Sequence, residues 1–150
     1  MSRLTIGGAL LTAACLLPLV AHAQAKASAD IKDTSGRSLG EAILVQQDGA
    51  VEITATLTGL PPGDHAFHIH EVGRCDPPFE SAGGHFNPQG RQHGKDNPAG
   101  PHAGDMPDRG PNALLDQDGA SLVVHERGDD YKTDPAGHAG RRIACGVIRR

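Results

Sequence analysis

Apolar and polar residues alternate along much of this 150-residue chain with the two-residue period of a β-strand. The alternation is clearest at residues 51–58, where Val, Ile, Ala and Leu take turns with Glu and Thr. Similar patterns predict seven strands, at residues 27–33, 39–47, 51–58, 65–70, 113–115, 121–125 and 143–148. Hairpin turns are predicted at residues 34–37 and 48–49. No segment has a convincing helical period, and we therefore predict an all-β domain, either a sandwich or a barrel.

Two long segments, residues 71–112 and 126–142, have almost no apolar periodicity. The first of them is rich in Gly, Pro and His. A structureless loop of that length is unusual in a compact domain unless something orders it. A bound metal or a disulfide can order a loop that cannot bury enough apolar surface by itself. We therefore expect two long loops, the first of which is held in shape by such a device.

Histidines occur at spacings that suit metal binding. His68 and His70 stand two residues apart in a predicted strand, so their side chains emerge from one face while Phe67 and Ile69 point into the core. Further residues able to bind a metal follow along the chain: His85, His93, His102, Asp105 and His125. Imidazole suits copper and zinc, and a carboxylate is the more zinc-compatible ligand. A single histidine in a polar loop is usually only solvated, and we expect that of His138.

The N-terminus has the features of a secretory signal peptide. Arg3 provides a positive start, an apolar stretch follows it, and residues 21–23 read Ala-His-Ala, a typical cleavage signal. We expect residues 1–23 to be removed and residues 24–150 to form one domain, in the periplasm or secreted. The apolar stretch is short for a membrane span. A lipid anchor at Cys15 is the alternative, although the leucine before that cysteine lies one position too far away.

Charge and cysteine content narrow the function further. With 14 Lys and Arg against 18 Asp and Glu, the chain has a formal charge of −4, which becomes −5 when Arg3 is removed with the signal peptide. An acidic chain with 3% aromatic residues lacks the basic surface and the stacking side chains of a nucleic-acid binder.

In an exported protein the two remaining cysteines, Cys75 and Cys145, favour one disulfide, with two free thiols as the alternative.

Four sequence blocks resemble one known family. Residues 63–71 (GDHAFHIHE), 81–88 (SAGGHFNP), 122–126 (LVVHE) and 143–148 (IACGVI) look like copper/zinc superoxide dismutase in its exported bacterial form. The resemblance implies a Greek-key β-sandwich or barrel with a metal loop and an electrostatic loop. It also implies that superoxide, a small anion, is converted to dioxygen and hydrogen peroxide by a redox-cycling copper beside a structural zinc.

The same resemblance implies roles for individual residues. The copper ligands would be His68, His70, His85 and His125, and the zinc ligands His85, His93, His102 and Asp105. His85 would bridge both metals and take part in catalysis. Arg142 resembles the arginine that docks the anion above copper, and Asp129 resembles a carboxylate that bonds ligand histidines of both sites. His65 resembles a structural residue that bonds the backbone, so it is not expected to be a ligand.

The chain departs from the family pattern at one place. In the family, a further strand and a long crossing connection precede the Leu-Val-Val-His strand, but here residues 118–120 run directly into it. The barrel is then expected to be open on one side, which exposes backbone groups and part of the core. Three outcomes stay open: a destabilised but metal-competent enzyme, a barrel completed by a second chain, as in a homodimer, or a non-functional remnant. The alternative function is that of a periplasmic copper- and zinc-binding protein without turnover.

Overall fold

The computed structural model of the chain describes residues 26–47, 50–105 and 117–150. Its strands, numbered in chain order, are β1 Lys26–Asp33, β2 Ser38–Gln47, β3 Ala50–Leu57, β4 Phe67–His70, β5 Ser121–His125 and β6 Arg142–Val147. Two short 3₁₀ turns, Glu80–Ala82 and Ala103–Asp105, lie in the first long loop. The predicted signal peptide, the turn at residues 48–49 and the strand at residues 113–115 lie outside the described residues.

The predicted strands that fall within the described residues are confirmed to within two residues at each end. The largest difference is at β4, which begins at Phe67 and not at residue 65. The reason is local, because the imidazole of His65 lies 2.9 Å from the carbonyl oxygen of Pro61 and 2.8 Å from that of His125. These contacts hold the chain in a turn before the strand begins. They also give His65 the structural role that was expected of it.

The six strands form one antiparallel sheet in the order β3-β2-β1-β6-β5-β4. The chain therefore crosses from one edge of the sheet to the other between β3 and β4. No described strand joins these two edges, so the sheet is a curled half-barrel, as the shortened sequence predicts. The turn at residues 117–120 leads directly into β5, without an intervening strand.

The hydrophobic core lies on one face of the sheet and draws on every strand. Its buried members include Ile31, Leu44, Ile69 and Leu122, and Phe67 packs against them. The prediction that Phe67 and Ile69 point into the core is therefore confirmed. In β3, Val51, Ile53 and Leu57 are only half-buried, because β3 is an edge of the open sheet.

The opposite face of β4, β5 and β6 carries the polar side chains of interest. Strand register places His68 opposite Val123, and Val123 opposite Cys145. Alternation along each strand then puts His70 and His125 on this same outer face. The two long loops pass over it.

A disulfide joins Cys75 in the first loop to Cys145 in β6, across 70 residues of sequence. The prediction of one disulfide is thus confirmed. A small apolar cluster of Phe79, Ala82 and Val123 packs beside it. The bridge and the cluster hold the start of the first loop against the outer face of the sheet.

Within the described residues, no helix is long and apolar enough to cross a membrane.

Candidate metal centre

All seven candidate metal ligands singled out from the sequence lie together and are buried beneath the two loops. Their exposed fractions are between 0% and 6%. They are His68 and His70 on β4, His125 at the end of β5, and His85, His93, His102 and Asp105 on the first loop. Burying so many imidazoles is unfavourable unless their nitrogen atoms find partners. Their surroundings therefore indicate what the cluster is built to hold.

The first group consists of His68, His70, His85 and His125, whose ligand atoms lie within 4.8 Å of one another. The group is assembled from different parts of the chain. A backbone bridge pairs His70 of β4 with His85 of the first loop. The hydrogen bond from the Phe86 N–H to the carbonyl oxygen of Ile69 extends this pairing at 2.9 Å. The loop histidine is thus held beside the strand histidines by backbone contacts.

Acceptors outside the first group fix the orientation of three rings. His68 Nε2 donates to Asp129 Oδ2 at 2.7 Å, and His70 Nδ1 donates to the carbonyl oxygen of Gly83 at 3.0 Å. His125 Nδ1 lies 3.4 Å from the carbonyl oxygen of Gly140. Protons on these nitrogens leave lone pairs on the other nitrogen of each ring, which is the arrangement that metal-binding histidines adopt.

Two nitrogens of the first group, His68 Nδ1 and His85 Nε2, are buried without a hydrogen-bond partner among the described residues. A buried polar atom left in this way costs about 1–3 kcal/mol. His70 Nε2 and His125 Nε2 also lie only 3.4 Å apart, although both are acceptors in the tautomers described above. A metal ion would bind all four nitrogens, and a set of imidazoles suits copper.

The second group is centred on the carboxylate of Asp105. Its Oδ1 lies 2.8 Å from His85 Nδ1, 3.0 Å from His93 Nδ1 and 3.1 Å from His102 Nδ1. Its Oδ2 accepts the backbone N–H groups of Gly94 at 2.8 Å and of His102 at 2.9 Å, so the carboxylate cannot turn away. Three imidazole nitrogens and one carboxylate oxygen form a donor set that zinc accepts.

The ligand atoms of His68, His85, His93 and Asp105 also lie within 4.8 Å of one another. We assign His102 and not His68 to the second group, because His102 Nδ1 lies 3.1 Å from Asp105 Oδ1. His68 instead donates its Nε2 proton to Asp129. The ring of His85 belongs to both groups, because its Nδ1 lies beside Asp105 and its Nε2 has no hydrogen-bond partner within residues 26–47, 50–105 and 117–150.

Asp129 connects the two groups, because its carboxylate accepts a hydrogen bond from one histidine of each. Its Oδ2 accepts from His68 and its Oδ1 accepts from His93 Nε2 at 2.9 Å. Gly137 lies against this pair, and its φ of 62° is in the left-handed region. A Cβ atom at that position would overlap Asp129 Oδ1 and come within 2.7 Å of His93 Nε2. The position therefore requires glycine, both for its backbone conformation and for the close approach.

Arg142 lies at the edge of the first group. Its Nη1 donates to the carbonyl oxygen of Phe79 and its Nη2 to that of Gly83, each at 2.7 Å. Its side chain is 17% exposed, and its Nη1 also lies 3.7 Å from the exposed carboxylate of Glu80. Arg141 differs, since it is largely exposed and pairs with Glu126 at 2.6 Å. His138 is also exposed, as expected, and lies 3.2 Å from Asp130.

Burial keeps the first group neutral. It lowers the pKa of His70 to about 2 and, together with neighbouring imidazoles, lowers the pKa values of His68 and His125 to about 4. The pKa of His85 is also lowered by burial, despite the Asp105 carboxylate beside it. At neutral pH these rings therefore carry lone pairs and no charge, which is the form that binds metals.

The second group combines ionised carboxylates with a protonated imidazole. Burial lowers the pKa of His93, but carboxylates on both ring nitrogens outweigh it and raise the pKa to about 9. Burial raises the pKa of Asp105, yet hydrogen bonds from His85 and His93 hold it well below its usual range. The pKa of Asp129 is likewise lowered by His93 and His68 in spite of burial. A cation is thus stabilised at this place, and a proton on His93 fills that role without a metal.

Sequence reasoning missed three contributors to this site. The carbonyl oxygens of Gly83 and Gly140 orient two histidines, and Asp134 Oδ1 accepts the backbone N–H of His93 at 2.7 Å. A backbone carbonyl has no sequence signal. Asp134 lies in a polar loop, and nothing in the sequence distinguishes its carboxylate from those of other loop residues.

Comparison with known proteins agrees with this geometry. A family model described as copper/zinc superoxide dismutase matches residues 38–148. The chain is 48% identical to superoxide dismutase [Cu-Zn] 2 of Aquifex aeolicus, over 83% of this chain and 86% of that protein. It is 38% identical to superoxide dismutase [Cu-Zn] of Caulobacter vibrioides, over 99% of this chain and 100% of that protein. Among solved structures, a superoxide dismutase-like protein from Bacillus subtilis matches with a TM-score of 0.74 and 36% identity, covering 80% of this chain and 96% of that one.

The alignment with the Caulobacter protein extends over 174 positions, which exceeds the 150 residues of this chain. That relative therefore has residues with no counterpart here. This agrees with the direct passage of residues 118–120 into β5 and with the open half-barrel.

Proposed function

Because this chain belongs to the copper/zinc superoxide dismutase family, we propose that it converts two superoxide anions and two protons into dioxygen and hydrogen peroxide outside the cytoplasm. The observation that carries the proposal is the position of His85. Its Nδ1 lies 2.8 Å from Asp105 in one group of ligands, and its buried Nε2 belongs to the other group and has no hydrogen-bond partner in the part of the chain that the structure describes. One imidazole placed between two donor sets is what a bridged pair of metals requires.

The family uses copper and zinc, and the buried cluster offers two suitable donor sets. In our proposal copper is held by His68, His70, His85 and His125, and zinc by His85, His93, His102 and Asp105. Copper supplies the one-electron chemistry, whereas zinc has no redox chemistry and holds the first loop in shape. His85 Nε2 is the atom at which the protein can hold a proton next to the reacting anion. Asp105 keeps the His85 ring in place from its other side.

Arg142 is the proposed binding residue for superoxide. Two of its N–H groups are used by the carbonyl oxygens of Phe79 and Gly83. A guanidinium has five such groups, so others are left to bind a small anion. Its permanent charge also attracts anions to an otherwise acidic protein. Arg141 is less suited to this role, because its exposed guanidinium pairs closely with Glu126 at 2.6 Å, whereas the Glu80 carboxylate lies 3.7 Å from Arg142.

The Cys75–Cys145 disulfide supports a location outside the cytoplasm, since disulfides persist in oxidising compartments. We propose that residues 1–23 are removed on export and that residues 24–150 form the mature domain, in the periplasm or secreted. Mass spectrometry of the protein purified from a periplasmic extract would test the cleavage site. A chain that begins at its original Met, or one that carries lipid on Cys15, would contradict it.

A second candidate function is binding of copper and zinc without turnover. The open sheet favours it, because β3 has half-buried apolar side chains and no described strand on its outer edge. Arg142 and Asp129 favour the enzyme, since metal storage requires neither an anion site nor a carboxylate that links two metal groups. A homodimer that covers the open edge would reconcile the short chain with a stable barrel.

The deciding experiment uses the mature chain loaded with copper and zinc. Metal content, superoxide decay in the presence of a chelator that removes free copper, and molecular mass in solution are measured on one preparation. The enzyme proposal expects one copper and one zinc per chain and superoxide decay that is lost when copper is removed. Bound metals without superoxide decay would leave the binding function. Failure to retain either metal would overturn both.

A further inference from the structure

Asp134 lies in the second long loop and touches two histidines of the first. Its Oδ1 accepts the backbone N–H of His93 at 2.7 Å, and the same oxygen lies 3.6 Å from His102 Nε2. Both histidines belong to the group around Asp105. The Asp134 side chain is 47% exposed, so it stands at the boundary between this buried group and solvent.

The ring of His102 is placed between two carboxylates. Its Nδ1 lies 3.1 Å from Asp105 Oδ1, and its Nε2 faces Asp134. A carboxylate on the far side of a metal-binding imidazole favours a proton on that side, so the near nitrogen keeps its lone pair. It also makes the ring a stronger ligand. At 3.6 Å the Asp134 oxygen is beyond hydrogen-bond length from His102 Nε2, so it acts on the ring through its negative charge, which favours the tautomer of His102 that can bind through Nδ1.

Asp129 stands in the corresponding relation to His93. It accepts from His93 Nε2 at 2.9 Å, while His93 Nδ1 faces Asp105. Both carboxylates come from the second loop, and both act on histidines of the first. Asp134 adds a backbone contact, because the N–H of His93 is fixed by the same oxygen that faces His102.

Other contacts join the two loops at this place. The N–H of Asp96 donates to the carbonyl oxygen of Tyr131 at 2.9 Å, and the side-chain amide of Asn97 donates to the carbonyl oxygen of Lys132 at 3.2 Å. Gly94 has a φ of 93° and lies so close to the backbone of Tyr131 that a side chain would overlap it. These contacts fix the second loop against the first, so the position of Asp134 beside His93 and His102 is determined by the packing of the loops.

We propose that Asp134 is a positioning residue of the zinc group, which orients His102 and fixes the backbone of His93. The inference rests on the proposed function, because it takes the group around Asp105 to bind zinc. Partners of metal-binding histidines change metal affinity by about 10- to 100-fold. Because Asp134 is half-exposed, we expect about a tenfold loss of zinc affinity when it is removed.

Two variants separate the two contacts. Asp134→Asn keeps an oxygen that can accept the His93 N–H but loses the charge beside His102, whereas Asp134→Ala loses both. Asp96→Asn is the matched control, since Asp96 is an exposed carboxylate of the first loop that pairs with Lys95. Zinc affinity is measured in the copper-loaded protein by competition with a zinc chelator. The absorption spectrum of cobalt(II) bound in the place of zinc reports the geometry of the group.

The expected order of zinc affinity is wild type, then Asp134→Asn, then Asp134→Ala, with a changed cobalt spectrum in both variants. The thermal midpoint of the metal-free protein should hardly change. Equal zinc affinity in all four proteins, or an equal loss in Asp96→Asn, would overturn the inference while leaving the proposed function intact. Wild-type protein that binds neither zinc nor cobalt would overturn both.

Discussion

The guanidinium of Arg142 and the imidazole of His70 share one acceptor, the carbonyl oxygen of Gly83. Arg142 Nη2 donates to it at 2.7 Å and His70 Nδ1 at 3.0 Å. Arg142 lies on β6 and His70 on β4, and a peptide of the first loop fixes the distance between them. The residue proposed to bind the anion and a residue proposed to bind copper are therefore positioned by the same backbone atom.

Replacing Arg142 by Gln should lower the rate of superoxide decay by about tenfold or more, because the attraction of the anion depends on this charge. Metal content should not change, since Arg142 is not a ligand. The rate is measured by stopped-flow at several salt concentrations, and its salt dependence should weaken in the variant. Arg141→Gln is the control, and an equal loss in that protein would show that only the overall charge matters.

Replacing Asp129 by Asn should weaken binding of both metals by about 10- to 100-fold, because its carboxylate orients His68 and His93 at once. Competition with copper and zinc chelators measures the two affinities. Asp130→Asn is a neighbouring control, since the Asp130 carboxylate accepts the backbone N–H groups of Lys132 and Thr133. If both variants lose the same affinity, the loop and not the link between histidines is responsible.

Removing the metals should destabilise the fold. An ion that binds only the folded chain adds about 2.7 kcal/mol when its concentration is 100 times its dissociation constant. In this protein the stabilisation by bound metal has a direct cause, because the ion would bind His68 Nδ1 and His85 Nε2, which are buried without a hydrogen-bond partner among the described residues. Thermal unfolding with and without a chelator measures the change. An unaltered midpoint would mean that the cluster does not hold metal in the folded protein.

Replacing both Cys75 and Cys145 by Ser should lower the stability of the metal-free protein by about 2–4 kcal/mol. The bridge also holds the segment containing Phe79, whose carbonyl oxygen accepts from Arg142. We therefore expect superoxide decay to fall more than metal content does. Urea unfolding measures the stability, and the wild-type protein under a reducing agent provides the comparison. Full activity at unchanged metal content would contradict the positioning role of the bridge.

The turn after β1 should make stability depend on acid pH. Hydrogen bonds from Ser35, followed by those from Arg37, lower the pKa of Asp33 from 3.8 to about 2. A pKa lowered by folding stabilises the folded state above pH 3.8, and this contribution is lost as the pH falls toward 2. Titration of the Asp33 carboxyl by NMR checks the value. In Asp33→Asn this part of the pH dependence of unfolding should vanish, and its persistence would assign it to another group.

Within the described residues, the two-residue period predicted each strand to within two residues of its ends. In β4 it separated Ile69, which lies in the core, from His68 and His70, which lie in the cluster. The period could not predict which strands pair, because β1 lies next to β6 only after the whole chain has folded. It also could not predict where β4 begins, which depends on the contacts of His65 with two backbone oxygens.

By itself the sequence determined the kinds of residue available: the histidines and one aspartate in the family's spacing, and the pair of cysteines that forms the disulfide. The tertiary structure decided which nitrogen of each ring faces its group. That choice depends on acceptors far away in the sequence, such as Asp129 for His68 and the carbonyl oxygen of Gly83 for His70. A hydrogen bond depends on distance and direction in space, and residue spacing along a loop fixes neither. For the same reason Asp134 gained its importance only when folding brought the second loop against the first.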